Sequence, residues 1–146
     1  MKRIIIILII VFGFAAVQAQ MDNPLKQGMA NTVTLSSGEV VYDLTGEWEA
    51  VYQNPFYGTR KDIVRIKQKG SKFVGYCVIG NEMARKGTET IKGELAKDGF
   101  KSILRDYFDY RYLPSTGKIG EKCNKVVVKT RDETGAMALI LTLTRR

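Results

Sequence analysis

The chain has 146 residues, no histidine, and 23 Lys plus Arg against 15 Asp plus Glu, for a formal net charge of +8. That length suits one domain with a core of moderate size. Without imidazole, Ser-His-Asp and Cys-His activation and the usual zinc constellations are excluded, and the absence of a dense Lys/Arg cluster argues against nucleic acid as a partner.

The amino end reads as a secretory leader. Met1-Lys2-Arg3 is basic, residues 4–14 are apolar, and residues 15–19 end in small side chains. This is the pattern that signal peptidase removes. The apolar run is shorter than the ~20 residues of a stable span, and an uncleaved anchor is the alternative. Removing 19 residues of 146 leaves 127 and takes Lys2 and Arg3, so the charge falls to +6. The expected location is secreted or periplasmic, with no stable membrane insertion after cleavage.

Residues 20–40 read as a flexible extension, with a short strand at 32–35. From Val40 the pattern has period two. Gly46, Trp48, Ala50 and Tyr52 fall on one face, and Glu47 and Glu49 on the other, which predicts a half-buried strand with Trp48 inside. Asn54-Pro55-Phe56-Tyr57-Gly58 breaks it. Strands are predicted at 62–69 and 72–79, joined by a turn at Lys69-Gly70-Ser71, then at 88–96 and 100–112, joined at Lys97-Asp98-Gly99. Residues 114–123 read as a Gly/Lys-rich loop. The last two strands are 125–131 and 136–145. The count is seven, or eight with 32–35. Regular hairpins without a helical period predict an all-β, antiparallel up-and-down barrel over residues 41–146.

Gly46-Glu47-Trp48, the hairpin meander and the final Arg145-Arg146 resemble the calycin superfamily of lipocalins, fatty-acid-binding proteins and avidins. The resemblance implies that Trp48 sits at the closed end of the barrel under a late arginine, either Arg145 or Arg146. It also implies a lipocalin-like ligand carrier. A single tryptophan argues against an avidin-like biotin site, and Thr142-Leu143-Thr144-Arg145 stands where fatty-acid-binding proteins carry an Arg-x-Tyr pair.

The densest candidate binding segment is Arg105-Asp106-Tyr107-Phe108-Asp109-Tyr110-Arg111-Tyr112. Its aromatics can stack on a ligand while the guanidinium groups pair with an anion. Arg105, Tyr107, Phe108, Tyr110 and Arg111 are therefore candidate ligand-binding residues, joined by Tyr52 and Tyr76, with Tyr57 next. An ordinary strand with solvated charges explains the same residues. Glu47 and Glu49 are read as cross-strand ion-pair partners rather than a glycosidase pair. Export favours a Cys77–Cys123 disulfide, with two reduced thiols as the alternative. No catalytic residue, metal site or cofactor is predicted, and the chain is not expected to be an enzyme. Gly75, Gly93, Ala50 and Ala138 at inward positions suggest a cavity for a small apolar or amphipathic ligand. The alternative is a filled barrel that binds a protein, such as an exported protease or lysozyme inhibitor.

Overall fold

A computed structural model describes residues 31–80, 84–97, 99–107 and 110–146. The leader and the first part of the extension lie outside these residues, as does Phe108. A two-stranded hairpin, β1 (Thr32–Thr34) and β2 (Val40–Tyr42), precedes eight strands: β3 (Gly46–Asn54), β4 (Gly58–Lys69), β5 (Lys72–Cys77), β6 (Glu89–Ala96), β7 (Gly99–Arg105), β8 (Tyr112–Ile119), β9 (Lys125–Arg131) and β10 (Met137–Arg145). These eight form a closed barrel in which each strand pairs with the next and β10 returns to β3. All pairings are antiparallel. Closure removes the exposed edges that an open sheet would present. Among the described residues there is no helix.

Alternation puts the core inside. Along β3, Trp48, Ala50 and Tyr52 are buried while Glu49 and Gln53 are exposed. On β10, Leu139, Leu141 and Leu143 point inward, and Val126 and Val128 do so on β9. An eight-stranded barrel has an interior just wide enough for side chains, and this chain fills it. Trp48, Tyr52, Phe73, Ile66, Ile91 and Leu104 are all under 2% exposed.

The inward glycines lie tight against neighbouring side chains, so at these positions the room expected from sequence is already taken. A Cβ on Gly75 would lie 2.8 Å from both Ile91 and Val64. One on Gly93 would meet the Lys101 carbonyl at 2.5 Å and Phe73 at 2.9 Å. Gly117 lies against the ring of Phe100, which would approach within 2.0 Å of an added Cβ. Ala138 stands on the other face from Leu139 and does not open the interior.

Two strand predictions are also corrected. The expected strand at 100–112 stops at Arg105. The chain then turns, with Asp106 N–H donating to the Arg111 carbonyl at 2.7 Å and Tyr110 at a φ of 63°. Much of the expected loop at 114–123 is β8. Its inward residues are Ser115 and Gly117, so it lacks the apolar alternation of its neighbours. Ser115 instead pairs with Ser102 through a 2.7 Å hydroxyl hydrogen bond.

The barrel has two distinct ends. The turns after β4, β6 and β8 close the end near Trp48. Here the β1–β2 hairpin packs, with Val40, Val41, Tyr42 and Leu44 buried. The Gln68 side chain holds it, accepting from Leu44 N–H at 2.8 Å and donating to the Tyr42 carbonyl at 3.0 Å. The turns after β3, β5, β7 and β9 form the opposite rim.

Candidate functional site

The closed end is organised around Arg145. Register places Arg145 across from Trp48, and the guanidinium carbon lies 4.4 Å from the indole centroid. Its nitrogens donate to three carbonyls: Cys123 at 3.1 Å, Thr45 at 2.9 Å and Asp43 at 2.7 Å. The indole N–H donates to the Leu44 carbonyl at 2.9 Å. Gly46 sits at φ +132°, and a Cβ there would lie 3.4 Å from an Arg145 nitrogen. Glycine at this position lets the chain bend under the arginine. Of the two terminal arginines, Arg145 takes this position, while Arg146 pairs with Glu47. Glu47 also pairs with Arg65 on the adjacent strand, and that hydrogen bond holds its carboxyl below the ordinary carboxylate range. This constellation is structural: the guanidinium bonds go to three backbone carbonyls and the Cys123 sulfur, and its face packs on the indole.

Cys77 and Cys123 are free and buried, which corrects the expected disulfide. Cys77 ends β5 at the rim side, where its thiol donates to Asp62 Oδ2 at 2.8 Å. Cys123 lies in the β8–β9 loop at the closed end, 3.5 Å from the Asp43 carbonyl and 3.6 Å from Arg145 Nη2. The barrel's length separates them, beyond the reach of a disulfide. Burial, reinforced by the hydrogen bond to Asp62, pushes the Cys77 thiol up to about 11. Burial also raises Cys123, although Arg145 opposes it.

Tyr52, near the end of β3, and Tyr107, in the β7–β8 turn, are buried against each other at the rim end of the barrel. Their rings meet edge-on at 4.7 Å and their hydroxyls are 3.3 Å apart. Burial raises the pKa of both. They are 1% and 3% exposed. Tyr76 is half-buried on the outer wall. Arg105 also faces outward, its guanidinium 5.9 Å from the Tyr110 ring and 5.8 Å from the Tyr112 ring.

The rim carries a cleft of about 810 Å³. Phe56 and Tyr57 of the β3–β4 turn, Tyr112, Leu113 and Pro114 of β8, and Ala138 of β10 give it apolar surface. Asn54, Asp106, Arg111, Arg131, Asp132, Glu133 and Thr134 supply polar groups. Its position follows from register. The β8–β9 ladder runs only as far as Ser115 opposite Thr130, while residues 112–114 pair with β7 alone. Pro114 has no N–H to extend the ladder, and the wall parts there.

Two turns bordering the cleft are braced by their own side chains. Asn54 Oδ1 accepts from the N–H groups of Phe56 and Tyr57 at 2.8 and 3.1 Å. Asp132 Oδ1 accepts from the Thr134 hydroxyl at 2.6 Å and from the N–H groups of Thr134 and Ala136. Those bonds, the Thr134 hydroxyl first, lower the Asp132 pKa. Arg131 Nη1 donates to the Gly135 carbonyl at 2.7 Å. Phe56 and Tyr57 are 86% and 66% exposed.

Among the described ligand-binding candidates named from sequence, Arg111 lines this cleft, with Asp106 and Tyr112 of the same segment. Tyr57, the next candidate, lines it too. Pro114, Arg131 and the 132–134 turn escaped sequence reasoning. The segment 132–135 falls between the two last predicted strands, but nothing local in the sequence signals its proximity to Tyr112. Among the described residues, no cluster of Cys, Asp and Glu has metal-binding geometry.

No protein-family model matches the chain, and no curated protein matches it. A solved structure of a redesigned β-barrel is similar at 14% identity and TM-score 0.48, covering 70% of this chain and 91% of that one.

Proposed function

We propose that this chain is an exported, non-enzymatic, lipocalin-like binding protein that takes a small amphipathic ligand at the rim rather than inside the barrel. The observation that carries the reading is the rim cleft of about 810 Å³, which falls within the ~300–1,000 Å³ usual for small-molecule sites. An apolar body would lie against Tyr112, Leu113 and Pro114, and a polar head would meet Arg111 and Arg131. Braced turns support such a site because preorganised groups lose less freedom on binding. The Arg145–Trp48 floor supports the lipocalin-like part of the reading.

Native mass spectrometry of protein purified gently from its host tests this. A stoichiometric added mass that is lost on denaturation, and lost in R111Q/R131Q, supports rim binding. A bare mass, or an added mass indifferent to those substitutions, refutes it.

A second reading rests on Phe56. At 86% exposure on a braced turn, it has the form of an anchor that inserts into a cleft of a partner protein, as aromatic hot spots do. The packed interior also fits a protein-binding module. Under this reading F56A abolishes capture of a specific partner while the rim double substitution leaves it intact.

A further inference from the structure

Among the described residues, the large apolar or aromatic side chains left strongly exposed are Phe56, Tyr57, Ile79, Tyr110 and Tyr112. All five stand at the rim end. Phe56 and Tyr57 lie in the β3–β4 turn, Ile79 follows β5, Tyr110 lies in the β7–β8 turn and Tyr112 opens β8. None stands on a turn of the closed end. The backbone beneath the tips is held. Asn54 caps the turn that bears Phe56 and Tyr57. Val78 N–H donates to the Ile63 carbonyl at 2.8 Å and Gly87 N–H to the Cys77 carbonyl at 2.8 Å, which ties down both limbs of the segment bearing Ile79. Apolar tips held out in water add little to the core, and their concentration at one end marks a contact surface.

The kind of contact follows from the arrangement of the tips and the charge around them. They project from three separate connections around the rim rather than from one flat face. A protein partner is met by a contiguous patch with a buried centre. Separate tips rich in aromatic rings suit the headgroup level of a bilayer, which closes around each of them. The exposed charges beside the tips are predominantly basic. Arg60 and Lys61 lie near the start of β4, Arg85 and Lys86 in the connection after β5, and Arg131 at the end of β9. Among the described acids at this end, Asp62 accepts from the Cys77 thiol, Glu89 is paired with Lys92 and Asp106 is buried, which leaves Asp132 and Glu133 exposed. This surplus complements an anionic lipid surface, and long basic side chains reach lipid phosphates while the aromatic tips sit beside them.

We propose that the rim end docks on an anionic lipid bilayer, with Phe56, Tyr57, Ile79 and Tyr110 at headgroup depth and Arg60, Lys61, Arg85 and Lys86 against the lipid phosphates. Docking goes beyond ligand binding in the rim cleft: Ile79 and Tyr110 do not line that cleft, so either can fail alone.

The test is sedimentation of the purified protein with vesicles of phosphatidylcholine and, separately, of phosphatidylcholine mixed with phosphatidylglycerol, joined to amide-resolved NMR with a spin-labelled lipid in bicelles of the mixed composition. The mixed vesicles should bind about tenfold tighter than phosphatidylcholine alone, and broadening should be strongest at residues 56–57, 79 and 110–112. I79S/Y110N, in which asparagine accepts the left-handed backbone at position 110, should weaken binding by about tenfold. Its Trp48 emission should be unchanged, as a control for folding, and any mass added at the rim cleft should be retained. K97Q/K122Q, at the closed end, should bind like the parent. The proposal is overturned by no sedimentation with the mixed vesicles, by broadening that spreads evenly or favours the closed end, by K97Q/K122Q weakening binding as much as I79S/Y110N, or by I79S/Y110N binding as tightly as the parent.

Discussion

Arg145→Met tests whether the closed end is held by one side chain. Methionine keeps an apolar stem over Trp48 but removes the charge and every donor. Three hydrogen bonds are lost, at 3.1, 2.9 and 2.7 Å, together with a cation–π contact at 4.4 Å. Hydrogen bonds from a charged donor contribute about 1.5–3 kcal/mol each when buried. This site is half-exposed and water can reach some of the freed carbonyls, so about 1 kcal/mol each is the appropriate scale. The ring contact adds about 0.5–1 kcal/mol. The expected loss is about 4 kcal/mol, a large fraction of a typical total of ~5–15 kcal/mol. Urea unfolding followed by the fluorescence of Trp48, the sole tryptophan, reads this directly as a lower midpoint at unchanged slope. Arg145→Lys keeps the charge over the indole but cannot reach three carbonyls, and should lose about half as much. A Met variant within about 0.5 kcal/mol of the parent, or a Lys variant as stable as the parent, would refute the reasoning.

Gly117→Ala should destabilise by about 3 kcal/mol or prevent folding, because the Phe100 ring occupies the space and overpacking is costly. Phe100→Leu combined with it should recover part of the loss, and a strictly additive double variant would show that the clash is not the cause. Tyr52→Phe should cost about 1 kcal/mol in urea unfolding through its hydrogen bond to Tyr107, with no change in ligand binding. Both thiols should be silent to a thiol reagent in the native chain at pH 8 and react only after denaturation; two equivalents released from folded protein would contradict their burial. Cys77 also sets an alkaline limit: its thiol rises from 9.0 to about 11 in the folded chain. The folded state keeps a proton that the unfolded chain releases, so this stability is present below pH 9 and lost as pH climbs through about 11. The raised Tyr52 and Tyr107 act in the same direction. C77A should therefore flatten, but not abolish, the alkaline fall, and a parent chain of constant stability over that range would count against the assignment.

The closed end was legible because its signals are local. Period two and a unique tryptophan identify β3, and a glycine two residues earlier marks the bend. The choice between Arg145 and Arg146 was not local. It depends on the register that sets Arg145 across from Trp48. β8 was illegible for a steric reason: Phe100 fills the space at Gly117, so the strand needs almost no apolar side chains of its own. The turn after Arg105 was hidden by residue type, since Tyr110 takes a positive φ where Gly or Asn would have signalled it. The rim cleft was least legible of all. It is assembled from three turns distant in sequence, and its opening depends on where one ladder stops.

The filled interior also decides where binding can occur. A small barrel that keeps its strand glycines invites the reading of a hollow carrier. Here Gly75, Gly93 and Gly117 each receive a neighbour's side chain, so the chain supplies its own contents. The buried hydroxyls follow the same logic. Thr90 donates to the Gly75 carbonyl at 3.2 Å and Thr130 to the Leu139 carbonyl at 3.3 Å, leaving neither exposed to a cavity. Under the proposed function, a barrel whose interior is occupied by its own side chains serves as a platform. Its turns can change composition at little cost to the core, and the surfaces left for recognition are those where the ladder ends or a segment folds back. Pro114 marks the first, and the 84–88 segment, in the connection after β5, marks the second. Under the proposed rim binding, specificity resides in turn residues, and substitutions in the core should move stability without moving affinity.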